Sequence, residues 1–166
     1  DALPQAVRDL HMVIGSHHWR GEASVTRGAS PLAGPICAMF GFPPPAEATE
    51  VEVSMRRDGA REIWERRFGA SRFQSTIELA GPPGEGIIAE TVKGVRCVVP
   101  LRADKNALEF PVHSAGFLGL PLPRLLVPGS RTREYQENGR FRFDVGLGVV
   151  LVGDLVRYQG WLLPTD

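Results

Sequence analysis

Apolar and polar residues alternate with a period of two along most of this chain; near the N-terminus the period lengthens to that of a helix. Leu3, Val7, Leu10 and Ile14 recur at helical spacing, with Pro4 where an N-terminal proline is tolerated. Residues 3–13 therefore predict a short helix, ended by Gly15 and Ser16. From His18 to Arg27 the alternation sets Trp19, Gly21, Ala23 and Val25 on one face. His18, Arg20, Glu22, Ser24 and Thr26 fall on the other, the pattern of a half-buried strand. A second helix is predicted from Ser30 as N-cap and Pro31 as first helical residue, with Leu32, Ile36, Met39 and Phe40 as its apolar side. Gly41 and the run Pro43-Pro44-Pro45 close it.

From Thr49 onward the period is two. Val51, Val53 and Met55 alternate with Glu50, Glu52, Ser54 and Arg56. Asp58-Gly59 predicts a hairpin with a type I′ turn, which needs positive φ at both central residues. The returning strand, Arg61 to Phe68, places Trp64, Arg66 and Phe68 on one face. After Gly69-Ala70-Ser71, Phe73, Ser75, Ile77 and Leu79 alternate with Arg72, Gln74, Thr76 and Glu78. Two further strands, Ile87 to Val92 and Val95 to Leu101, flank Lys93-Gly94. Beyond the turn at Asp104-Lys105-Asn106, Leu108, Phe110 and Val112 form another, held to a sheet edge or a bulge by Pro111.

The stretch 115–128 (AGFLGLPLPRLLVP) reads as a long apolar loop, because Pro121, Pro123 and Pro128 interrupt any regular element. Such loops in compact domains usually cover or line something. The strand 132–137, the Asn138-Gly139 turn and the stretch 139–163 complete the pattern. In that stretch Phe141, Phe143 and Val145 share a face, as do Val156, Tyr158 and Leu162. Leu155, Arg157, Gln159 and Trp161 fall opposite. These last strands look like the closing hairpin, the seam, of a curved sheet. The whole predicts one domain over residues 1–166 of mainly β (α+β) class. It would be a strongly curved antiparallel sheet or open β-barrel of roughly eight to ten strands with two short N-terminal helices.

Composition narrows the function classes. Apolar residues make up 43% and charged residues 23% of the 166, an ordinary globular balance. Lys plus Arg equals Asp plus Glu, 19 each, which lacks the basic surplus of a general nucleic-acid binder. No apolar run approaches the roughly 20 residues of a membrane helix. Cys37 and Cys97 are too few for a disulfide framework and have no metal-ligand spacing, so buried free thiols and a cytoplasmic location are expected. The start at Asp1 rather than methionine suggests a piece cut from a longer chain.

Chemistry-bearing motifs are sparse. His17 and His18 are neighbours on a strand and point to opposite faces, and no Cys-x-x-Cys, His-x-x-x-His or Asp-x-Asp pattern exists, so neither a metal nor another cofactor is expected. Glu109, His113 and Ser114 could supply a triad, but no Gly-x-Ser-x-Gly elbow frames the serine. The anomaly is Arg66, between Trp64 and Phe68 on an inward face. A buried guanidinium needs a partner. Either Glu90 or Glu134 supplies one, or Arg66 meets an anionic ligand group in a cavity, with Ser75 and Tyr158 joining either network.

Leu3-Pro4 with Val7-Arg8 and His11, Arg27-Gly28, Trp64-x-Arg66-x-Phe68 and Ser75 form a joint pattern. Gly119-Leu120-Pro121-Leu122-Pro123 with Pro128, and Gly153-Asp154-Leu155-Val156-x-Tyr158-x-Gly160-x-Leu162, extend it. Over nearly its whole length the chain thereby resembles a bacterial family known as domain of unknown function 4166. The resemblance implies no catalytic residues. It implies a domain that occurs alone or attached to other modules, nicotinamide-dependent dehydrogenase-like ones among them, hence a fused or associated oxidoreductase as a partner.

The expected function is a non-catalytic binder of a small hydrophobic or amphipathic molecule inside the curved sheet. Trp19, Trp64, Arg66, Phe68, Phe73, Ser75, Phe141, Phe143 and Tyr158 are its candidate site residues, and Phe117 to Leu126 its lid. The same aromatics could instead fill a solid core. The alternatives are an enzyme using His113 or Arg66 with a glutamate as acid–base partners, and a protein-interaction module using the apolar loop.

Overall fold

The structure, a computed structural model, describes residues 3–165; Asp1, Ala2 and Asp166, the ends of the expected 1–166 domain, lie outside the described residues. Two short helices, α1 (Gln5–His11) and α2 (Ala33–Phe40), accompany fourteen strands among the described residues. The long strands are β1 (Ser16–Arg27), β2 (Ala46–Asp58), β3 (Arg61–Phe68), β4 (Ser71–Leu79), β5 (Ile87–Val92) and β6 (Val95–Pro100). Then come β7 (Arg102–Ala103), β8 (Ala107–Glu109), β9 (Ser114–Phe117), β10 (Leu120–Pro121) and β11 (Pro128–Ser130), all short. β12 (Arg133–Glu137), β13 (Arg140–Val149) and β14 (Gly153–Thr165) end the chain. All join one antiparallel sheet in the order β10-β9-β6-β5-β4-β3-β2-β1-β14-β13-β12-β8-β7, with β11 beside β13. The expected strand count was too low, and the hydrogen-bonded ladder does not close into a barrel: β10 and β7 are its two ends.

The undercount has a physical cause. β7, β9, β10 and β11 are two to four residues long and carry no readable alternation. The stretch read as an irregular loop in fact holds β9, β10, a 3-10 turn (Arg124–Leu126) and β11. Its prolines fit because these strands lie on edges: Pro121 stands opposite Gly116 in the outermost ladder. The closing hairpin is likewise relocated. β14 pairs with both β13 and β1, so the two ends of the chain meet in the interior of the sheet.

Turn chemistry decides the registers. Asn138 (φ 51°) and Gly139 (φ 75°) form the expected two-residue turn, with Glu137 opposite Arg140. At the first hairpin Asp58 pairs with Arg61, so the turn is Gly59-Ala60. Gly59 has φ 62°, while Ala60 is not among the residues with positive φ, the pattern of a type II′ turn rather than I′. Such a turn needs positive φ only at its first central position, which spares Asp58.

One face of the sheet is the core. Trp19, Val25, Val51, Met55, Phe68, Phe141 and Leu162 are buried on it with Val7 and Leu10 of α1 and Ala33 and Cys37 of α2. Three expected core residues are not there: Ile14 is 80%, Leu32 56% and Met39 61% exposed. Both helices are shorter than the pattern predicts. Ile14 lies past the end of α1, and α2 seats small Ala33 and Cys37 on β14. Leu155 is buried beside Val156, although alternation puts it outward. A bulge explains this: Leu147 faces Val156 while Gly148 faces Asp154, leaving Leu155 as the extra residue.

β1 and β14 approach so closely that a side chain at Gly160 would place its Cβ 2.1 Å from the Glu22 carbonyl oxygen. Gly160→Ala should destabilise the domain by at least about 2 kcal/mol in urea denaturation, an overpacking cost. Gly34→Ala, exposed on α2 with nothing near its Cβ position, should be neutral or up to about 1 kcal/mol stabilising.

Candidate functional site

The apolar face borders an open recess of about 790 Å³. Strand alternation aims its lining. Trp64, Arg66 and Phe68 of β3 stand beside Phe73 and Ile77 of β4, and Phe141, Phe143 and Val145 of β13 stand beside Tyr158 and Leu162 of β14. Ile36, Met39 and Phe40 of α2 contribute too, so the side of α2 read as core-facing borders the recess instead. Leu122 and Leu126 of the apolar stretch line it, and Leu126 is exposed, as are Phe117, Leu118, Leu120 and Leu125.

Of the residues expected at the site, Trp64, Arg66, Phe68, Phe73, Phe141, Phe143 and Tyr158 share this lining. The aromatic rings interlock: Phe68 lies 5.0 Å from Tyr158, edge to face, and 6.2 Å from Phe73, stacked. Trp19 is buried behind Phe141, 6.2 Å away, and is not in the lining. Ser75, 1% exposed, stands behind Arg66 and accepts a hydrogen bond from Nη1 at 2.8 Å.

Arg66 takes Glu90 as its carboxylate, at 3.4 Å from Nη2. Its guanidinium also lies over the Trp64 ring at 5.1 Å and near Phe73 at 5.5 Å. Glu134, the other candidate partner, belongs to His11. The His11 Nε2 lies 2.5 Å from Glu134 Oε2, and the imidazole sits 5.3 Å from the Trp64 ring and 6.1 Å from Phe110. Pattern reading gave His11 no role. Its partner lies 123 residues further on, so no local signal marks the pair. Glu109, His113 and Ser114 are exposed and share no hydrogen bond among the described residues, so they assemble no triad.

Burial pulls the pKa of His11 down, but the charge and hydrogen bond of Glu134, helped by Glu62, outweigh it and leave the imidazole above its ordinary 6.5. Burial pushes the Tyr158 phenol up, so it stays protonated at any physiological pH. Cys97, also in the lining, is raised by burial, then by Glu90, to about 11, an inert thiol. Among the described residues no three His, Cys, Asp or Glu gather as metal ligands, and no helix is long and apolar enough to cross a membrane.

Fold and site together define an antiparallel β-sheet domain with an apolar recess and a small cluster of paired charges. A family model described as Domain of unknown function (DUF4166) matches residues 3–162, and the chain belongs to that family. No curated protein matches it.

The His11–Glu134 pair makes stability depend on pH. A folded pKa raised above the unfolded value gives a contribution that is complete below the unfolded pKa and disappears as pH rises through the folded one. Urea denaturation should therefore show stability falling from about pH 6 upward through the His11 titration. Glu134→Gln should remove that slope and lower stability at pH 6 by roughly 1–2 kcal/mol.

Proposed function

We propose that this domain binds a small apolar or amphipathic molecule in the recess, and that its sheet bends strongly around the bound molecule. It acts as a holder rather than a catalyst. The observation that carries the reading is the recess itself: about 790 Å³ beside a dense aromatic core, within the range of small-molecule sites, with a mainly apolar lining and a few convergent polar groups.

Two features support the bend. Leu101 alone links β6, third in the sheet order, to β7 at the far end. Ten flat strand spacings would separate them by about 48 Å, whereas two residue steps span about 7 Å at most. Trp64 on β3 and Glu134 on β12, five spacings apart, both reach His11. The apolar stretch 117–126 fits a lid, with half-buried Leu122 and the exposed Leu126 bordering the recess and its other large side chains left in solvent.

Octane, a purely apolar probe, should raise the melting temperature and give a saturable calorimetric isotherm. Val145→Trp places a large ring in the recess from a half-buried position. It should abolish octane binding while leaving the far-ultraviolet circular dichroism and cooperative unfolding in place. Unchanged octane affinity in this variant would contradict the site.

A further inference from the structure

We propose that the recess selects a neutral amphipath, an apolar body carrying one carbonyl or hydroxyl oxygen, and that the Tyr158 hydroxyl is the group that grips that oxygen. The inference rests on the binding function proposed above and adds the class of ligand.

The charged side chains of the lining are paired within the protein. Arg66 meets Glu90 at 3.4 Å, His11 meets Glu134 at 2.5 Å and Arg57 meets Glu62 at 3.0 Å. Glu78 is held by Arg61 at 3.1 Å and Arg96 at 3.3 Å. No lining charge is left over as a counter-ion. A carboxylate or ammonium head entering the recess would lose its hydration and find each opposite charge already engaged. Arg66 also spends its two terminal nitrogens on Ser75 and Glu90, and its plane lies against Trp64. It is therefore a wall of the site rather than an anion anchor.

Tyr158 differs from these groups. Its residue is 6% exposed and lines the recess, yet its phenol makes no hydrogen bond among the described residues. The sealed side-chain atoms without partners among the described residues are Arg8 Nε and Arg27 Nη1; the Tyr158 oxygen is not among them, so it keeps some exposure in a residue that lines the recess. A buried hydroxyl normally finds a partner. Phe68 and Phe143 hold the ring edge to face at 5.0 and 6.2 Å, which fixes where the hydroxyl points. Burial keeps it protonated, so it donates to a ligand oxygen and accepts from a ligand hydroxyl.

The test is a headgroup series on the folded domain by isothermal titration calorimetry. It compares octane, octanol, the corresponding methyl ketone, octanoate and octylamine, on wild type and Tyr158→Phe. The wild type should bind the ketone and octanol at least about tenfold more tightly than octanoate or octylamine. Tyr158→Phe should weaken ketone binding by about three- to tenfold, the worth of one hydrogen bond, and leave octane unchanged. Octanoate or octylamine binding as tightly as the ketone overturns the inference, as does a Tyr158→Phe variant with undiminished ketone affinity. In both cases octane binding would still stand for the recess. If octane also fails to bind wild type, the binding function falls, and this inference falls with it.

Discussion

One residue, Leu101, joins β6, third in the hydrogen-bonded order of the sheet, to β7 at its far end. It is half-buried against the core, its amide donates to the Gly86 carbonyl at 2.8 Å, and its side chain reaches the recess. In the reading proposed above, a sheet so tied does not lie flat. The helices add a second pressure. α1 and α2, with seven and eight residues, are too small to cover the apolar face of fourteen strands. On our proposal the sheet answers both by bending, so that its apolar face is covered largely by itself. Gly21 and Gly160, where β1 and β14 leave no space for a Cβ, leave room for such a bend in the middle of the sheet.

A sheet that bends in the way proposed does not have to fill its interior. Near the centre, Phe68, Phe73, Phe143 and Tyr158 pack ring against ring. Away from it, the lining is made of half-buried aliphatic side chains such as Ile77, Val145 and Leu147. The polar groups are distributed economically. His11 reaches from α1 to Glu134 of β12, and Ala6 of the same helix donates its amide to Gln136, so one short helix is clasped to one strand twice. Arg66 crosses from β3 to Ser75 of β4 and Glu90 of β5. Charges that would be expensive in an apolar recess thus become ties between strands.

Much of this is legible in the sequence. Period-two alternation finds β1 to β4, β13 and β14, because each is long enough to repeat its pattern, and it turns Trp64, Arg66, Phe68, Phe141, Phe143 and Tyr158 to the face that borders the recess; β5 and β6 are marked by the turn between them rather than by clean faces. Where it fails, the reason is local. Strands of two to four residues have no period. The bulge at Leu155 reverses the parity it depends on. The Gly59-Ala60 turn shifts the first hairpin by one residue from the strongest dipeptide signal. Trp19 has the right face but lies behind Phe141. His11 and Glu134 could not be joined from sequence, because only the fold brings α1 against β12.

On the proposal above, the face of this sheet is hollow, apolar and accessible, rather than closed by its own side chains. Diffraction from crystals held under xenon pressure tests it most directly, since xenon occupies apolar space and ignores head-group chemistry. Ordered xenon between Ile77, Phe143, Val145 and Leu147 is the predicted result. A recess filled by repacked aromatic side chains, with xenon absent from it, would contradict the account.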